Sequence, residues 1–198
     1  MISELTNVEA VVRLASVNNA TLSLESIHLL ADSLLLRKYK KGELILDEGE
    51  DCNHLLFIEK GMTRQFYFKN GKDLTEHIAY EDGVVICLES YIKHEPTHLM
   101  IEAIEPVVCW LIPREAIELL SNNHFDIAFL YRRIFECSLI ESQIKADTLR
   151  FEPAYDRYAK LVQLHPEILR RAPLVSIASL LQMSPETLSR VRTAALNG

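Results

Sequence analysis

The 198 residues are 48 % apolar and 25 % charged, the make-up of a globular chain with a substantial core, which excludes a disordered or fibrous protein. The net charge of −7 speaks against a nucleic-acid partner, because Lys and Arg must neutralise phosphates. Its distribution reverses that reading: residues 1–149 hold 14 Lys and Arg against 24 Asp and Glu, and residues 150–198 hold 7 against 4. An acidic body carries a basic C-terminal piece.

Residues 8–36 place Val8, Val11, Val12 and Leu14, then Ile27, Leu30 and Leu34, at helical spacing, which predicts two helices with Ser23 or Ser26 capping the second. From about residue 37 the texture changes. Five of the six glycines, Gly42, Gly49, Gly61, Gly71 and Gly83, fall within 42 residues, the strand-and-turn signature of a sandwich, roll or barrel. Asn70-Gly71 accepts the two positive φ angles of a tight hairpin turn between strands at 63–68 and 74–79. Further strands are expected at 54–58, 84–88, 98–104 and 107–112.

After Pro113 the period becomes helical, and residues 125–149 read as one long helix. Ile127, Leu130, Ile134, Cys137, Glu141, Ile144 and Thr148 alternate steps of three and four, the seam of a coiled coil, with Phe125, Phe129 and Ile140 on a face that could pack on the strands. The same periodicity suits a helix buried inside a monomer. Arg132 and Arg133 interrupt the most apolar stretch, so no membrane span is expected. Cys52, Cys87, Cys109 and Cys137 are scattered with no CxxC pair and read as reduced, buried thiols of a cytoplasmic protein.

Pro153 predicts a break and a helix near 154–164. Beyond it, Leu174, Ile177, Ala178, Leu180 and Leu181 make a short apolar helix, Gln182-Met183 a turn, and Ser184 an N-cap ahead of Pro185. Leu188 and Val191 would then face inward, and Glu186, Thr187, Ser189, Arg190 and Arg192 outward. Two short helices crossing at a small Ala178 describe a helix-turn-helix, although an ordinary helical hairpin has the same spacing, and Gln182 stands where the motif usually has glycine.

The run Ile-Ala-Ser-Leu-Leu-Gln-Met-Ser-Pro-Glu-Thr-Leu-Ser-Arg-Val-Arg at 177–192 resembles the recognition region of the Crp/Fnr family of bacterial regulators. Lys41-Gly42-Glu43-Leu44-Ile45, Glu48-Gly49-Glu50 and Leu55 to Gly61 resemble the opening of that family's cyclic-nucleotide-binding roll, and residues 101–105 and 111–114 its last strands. The resemblance implies an α+β fold: N-terminal helices and an antiparallel β-roll over 1–124, a dimerisation helix over 125–149, and a helix-turn-helix domain over 150–198. It also implies a homodimer joined through Ile127, Leu130, Ile134, Cys137 and Ile144, on a palindromic DNA operator and in contact with RNA polymerase. Arg190 would read a guanine and Glu186 a cytosine amine, with Ser184, Thr187, Ser189 and Arg192 on phosphates. Pro185 stands where several members carry a base-reading Arg, so half-site specificity should differ.

The effector does not follow from the resemblance. Members that bind cyclic AMP hold its phosphate with an Arg-Ser-Ala or Arg-Thr-Ala cassette after a Gly-Glu pair. The matching stretch here reads Glu95-Pro96-Thr97-His98-Leu99 with no Gly-Glu before it, which argues against cyclic AMP. The first cysteine is already inside the roll, against an N-terminal iron-sulfur cluster, and His54, His77, His94 and His98 read as surface or hydrogen-bonded residues before haem or metal ligands. An unknown small molecule near Glu89, Thr97, His98 and Ser142 is the expectation. No enzyme is expected, since the sequence holds no catalytic constellation; the alternatives are a roll that dimerises without binding DNA and a cupin-type metal-binding enzyme, for which the usual His-x-His is absent from the sequence.

Overall fold

In the computed structural model, which describes residues 5–196, the chain opens with α1 (Asn7–Val17) and α2 (Leu24–Ser33). Side chains replace the missing backbone partners at both starts. Thr6 and Glu9 form a reciprocal capping box, the Glu9 N–H donating to Thr6 Oγ1 at 3.2 Å and the Thr6 N–H to the Glu9 carboxylate at 2.8 Å. Ser23, not Ser26, caps α2, accepting from the Ser26 N–H at 3.1 Å. The Ser26 hydroxyl instead donates to Asp126 at 2.7 Å, tying the start of α2 to the start of the long helix.

Eight strands follow: β1 (Leu35–Tyr39), β2 (Leu44–Leu46), β3 (His54–Lys60), β4 (Thr63–Lys69), β5 (Lys72–Ala79), β6 (Val84–Val85), β7 (Met100–Ala103) and β8 (Val107–Pro113). They pair antiparallel into two four-stranded sheets, in the orders β1-β8-β3-β6 and β2-β7-β4-β5. Asn70 and Gly71, with φ of 54° and 73°, make the hairpin turn between β4 and β5. The strand expected over 84–88 ends after Val85, because the Ile86 carbonyl accepts from Gln65 Nε2 at 2.9 Å instead of a ladder partner, and α3 (Leu88–Lys93) begins. Gly61, at φ 101°, joins β3 to β4 where any Cβ would lie 2.3 Å from the Pro106 carbonyl oxygen.

Strands β3 and β8 are buried almost end to end, which alternation alone would not produce. Both their faces are covered. One closes the interior of the roll, and a single apolar core joins these strands to α1, α2, α4 (Arg114–Ser121) and the first half of α5 (Phe125–Phe151).

That covering corrects the reading of the long helix. Ile127, Leu130 and Ile134, assigned from sequence to a partner helix, are 0 %, 0 % and 3 % exposed inside their own chain, while Phe125 is 86 % and Ile140 54 % exposed. The faces are exchanged because the apolar roll needs a helix against it, and the residues at three-four spacing lie on the side turned to it. Cys137 is half-buried and Ile144 is exposed.

The chain ends in α6 (Ala154–Leu164), α7 (Pro166–Arg171), α8 (Leu174–Leu180) and α9 (Pro185–Leu196). The core of these helices is shared with the roll. Tyr158, Leu161, Ile168, Ile177, Leu181 and Leu188 share one apolar cluster with Met62, Ile78 and Ile104 of the roll.

Candidate nucleic-acid interface

The α8–α9 pair is built as a helix-turn-helix needs. Ala178, 1 % exposed, sits at the crossing, and Leu188 and Val191 face inward. Gln182 takes φ 50°, the left-handed position that usually calls for glycine, and the turn closes by Met183 N–H to the Ala178 carbonyl at 2.9 Å. Leu174, the first of the apolar residues of α8, is half exposed, since it opens the helix on its outer side. Ser184 caps α9 by accepting the Thr187 N–H at 3.2 Å.

On the far side of α9, Ser184, Glu186, Ser189 and Arg190 are exposed and Thr187 and Arg192 half-buried, so all six residues singled out from sequence belong to one short stretch of helix. Arg190 lies back along its own helix, with only long contacts of 3.4 Å to the Glu186 carbonyl and to Thr187 Oγ1. Such contacts are weak enough to be exchanged for a base edge. The Ser184 hydroxyl keeps the Glu186 carboxyl below its ordinary range, so that Glu186 is an acceptor at neutral pH.

This pair is docked on the roll. The N–H of Thr75, on edge strand β5, donates to Ser179 Oγ at 2.8 Å, satisfying a group that an open sheet edge would leave to water. Arg171 clamps two carboxylates: it donates to Glu81 at 2.7 and 2.9 Å and also binds Glu105. Burial disfavours ionisation of Glu81, but Arg171 and the Gly61 N–H outweigh it and hold the carboxyl below its usual range. The Tyr80 hydroxyl meets His165 Nδ1 at 3.2 Å, and Lys145 of α5 binds Glu76. His77 sits among these groups, its Nε2 3.9 Å from Glu141. Partial burial, with 39 % of the side chain still exposed, and then Lys145 and His165 lower its imidazole to about 4, against a weaker opposing pull from Glu76. The sequence offered no sign of the Arg171 clamp or of the His77 environment, because their partners are distant in the chain.

The residues expected at the effector are not all brought together. Glu89, Thr97 and His98 line one cavity of about 120 Å³ under α3, with Cys87, Ser90 and Glu95. Ser142 lines a different cleft of about 340 Å³, beside Glu76, Lys145 and Gln182, because α5 carries it past β5 and away from α3. The Thr97 hydroxyl is occupied, donating to the Leu99 carbonyl and accepting the Leu99 N–H at 2.9 Å. Pro96 pairs with Asp51 in an isolated bridge, and among the described residues the lining of the cavity includes Glu89 and Glu95 and no Lys or Arg.

Residues 36–124 match the family model of the cyclic nucleotide-binding domain. No curated protein sequence matches the chain. Among solved structures, it is similar to a Eubacterium rectale protein assigned as a transcriptional regulator of the Crp/Fnr family, at 19 % identity and a TM-score of 0.67, over 89 % of this chain and 85 % of that one. It is similar to FixK2 of Bradyrhizobium japonicum at 20 % identity and a TM-score of 0.69, over 83 % and 85 %. The catabolite activator protein of Thermus thermophilus matches at 22 % identity and a TM-score of 0.56, over 93 % and 87 %. The fold is that of these proteins.

The lowered His77 has a consequence for stability. A histidine whose folded-state pKa lies below its unfolded value near 6.5 favours the fold above that value; the contribution is lost as pH falls from about 6.5 towards 4 and changes no further below. Between pH 7 and 5 the thermal midpoint of the protein should therefore fall more than that of His77→Gln, which has nothing to protonate. Parallel curves for the two proteins would contradict this placement of His77.

Proposed function

We propose, from the match of residues 36–124 to the cyclic nucleotide-binding domain model and from the shared fold, that the chain is a Crp/Fnr-type transcription regulator that binds DNA as a homodimer. The observation that carries the reading is the α8–α9 pair: two helices crossing at a buried Ala178, with Arg190, Glu186 and Ser189 presented to solvent on the second. In this reading residues 1–124 are the sensory unit, the helix from 125 dimerises, and residues 150–198 bind DNA.

The dimer seam is moved from its first placement. Phe125, Phe129, Ile140, Ile144 and Phe151 lie within about 100° of one another around α5, on the side away from the roll core. Four of the five are more than half exposed. An unpartnered apolar stripe of that length on a helix is what a second copy covers. Ile144 keeps its role; Ile127, Leu130 and Ile134 hold the helix to the roll. Cyclic AMP is not the effector in this reading, since the cavity under α3 is lined by two carboxylates and offers its phosphate no guanidinium. Replacing Ile140 and Ile144 together by Glu should convert the protein to a folded monomer in sedimentation, with its circular dichroism unchanged. A variant that sediments as the parent does would remove this seam.

Arg190 and Arg192 should fail differently when changed to Ala, because one reaches a base and the other a phosphate. Loss of Arg190 removes a bidentate base contact worth ~1 to 3 kcal/mol of discrimination, so binding weakens by roughly tenfold or more and one position in each half-site becomes tolerant. Loss of Arg192 weakens specific and random DNA alike and makes the salt slope shallower by ~0.9 per contact, about twice that in a dimer. Titrations on a selected site and on scrambled DNA at several salt concentrations separate the two. Identical behaviour would take the role of reader from α9.

A further inference from the structure

The second half of α5 carries a stripe that DNA reading and dimerisation leave unused. Ser142, Lys145, Ala146, Leu149 and Arg150 follow one another at alternating steps of three and one, so they share one face of the helix. At about 100° per residue, the centre of that face lies roughly half a turn from the seam of Ile140, Ile144 and Phe151. A second copy seated on the seam leaves it open. The five residues form one wall of the cleft of about 340 Å³, which Glu76 of edge strand β5 and Gln182 of the turn between α8 and α9 complete. The cleft therefore lies where the roll, the long helix and the helix pair meet.

Its charges do not balance. The Lys145 ammonium donates to both the carbonyl and the carboxylate of Glu76, the one acidic residue in the lining among the described residues, and that pair cancels. Arg150 is exposed, has no carboxylate partner among the described residues, and lies against the Phe151 ring at 5.7 Å from its centre. A further cation joins two of the walls: Arg157 of α6 donates to the carbonyls of Leu149 and Gln182, each at 3.5 Å. Both contacts are too long to be strong. The Arg157 Nε is buried and has no partner among the described residues, because the Glu152 carboxylate at the end of α5 binds Lys160 instead. A buried guanidinium N–H without an acceptor is destabilising, and an incoming anion relieves it.

We propose that this cleft binds a small phosphate monoester, its phosphate held by Arg150 and by Arg157. At neutral pH such an ester carries about 1.5 to 2 negative charges, which the two unpaired guanidinium groups match. Guanidinium forks also bind phosphate oxygens in pairs, and Arg157 exchanges its long carbonyl contacts for them. The Ser142 hydroxyl and the Gln182 amide are at hand for hydroxyl groups on the rest of the ligand, and Ala146 and Leu149 for its apolar edge. The volume lies at the small end of ligand sites, which run from roughly 300 to 1,000 Å³. The cavity under α3, with Glu89 and Glu95 in its wall, repels the same ligand. Once Arg157 lets go of the Gln182 carbonyl, the contact between α6 and the α8–α9 turn changes with occupancy. That effect on DNA rests on the reading of the chain as a regulator; the site does not.

Full-length protein is titrated calorimetrically with inorganic phosphate, ribose 5-phosphate and ribose, at an ionic strength held constant with chloride. The expected result is saturable binding of ribose 5-phosphate, weaker binding of inorganic phosphate and none of ribose. Arg150→Gln should weaken binding by about tenfold or more, through one lost charge-assisted contact. Ala146→Phe should abolish it by filling the cleft. Both positions are exposed, so these variants keep the fold, which circular dichroism checks. Lys41→Gln, which removes an exposed cation outside the cleft, should bind as the parent does. No saturable binding, or equal binding by the parent and Ala146→Phe, would overturn the proposal; inorganic phosphate binding more tightly than ribose 5-phosphate would overturn the ester. Saturating ribose 5-phosphate should then change affinity for a selected DNA site by roughly fivefold or more in the parent, and not in Ala146→Phe. No change in the parent removes the coupling to DNA. A protein that binds the ester but no DNA in either state sinks the regulator and leaves the site standing.

Discussion

The arrangement of the whole chain depends on the docking of α6–α9 onto the sheet that ends in β5. The C-terminal helices are too few to enclose a core, so Tyr158, Leu161, Ile168 and Leu181 complete theirs with Met62, Ile78 and Ile104 of the roll. Apolar burial supplies most of that attachment, at about 25 cal/mol per Å² removed from water. The polar contacts set its register. Arg171 spans Glu81 and Glu105, and Ser179 occupies the open edge at Thr75; at 21–30 % side-chain exposure the clamp adds only about 1 kcal/mol per pair, but it admits one orientation. Whatever shifts β5 or the segment after it must therefore move α9 as well.

Charge follows the same division. The acidic body repels a polyanion, and the basic C-terminal piece has few cations to spare, three of which, Lys160, Arg170 and Arg171, are already paired with carboxylates. In the proposed regulator, affinity for DNA then rests on a small set of side chains on α9, with little redundancy, and its salt slope is set by the few phosphates they neutralise.

Much of this was legible in the sequence, for local reasons. Asn70-Gly71 can hardly be anything but a hairpin turn, and Ser184-Pro185 begins a helix whatever surrounds it. The glycine spacing gave the roll, and Pro153 the end of α5. What was missed depended on distance. Periodicity placed Ile127, Leu130 and Ile134 on one face of a helix but could not say whether a partner or the chain's own roll would cover them. Ser142 and Thr97, expected together at an effector, are separated by the path of α5. Gln182 shows the opposite case: a departure from the glycine pattern that the backbone absorbs by placing a non-glycine residue at φ 50°.

The central claim is that α9 reads DNA from a two-fold symmetric dimer. Repeated selection of bound duplexes from a random pool by the unmodified protein tests it most directly. The expected outcome is enrichment of one inverted repeat whose half-sites lie about one helical turn apart, the spacing that two symmetric recognition helices impose. A pool that stays random through successive rounds, or that converges on a single half-site without symmetry, would contradict it.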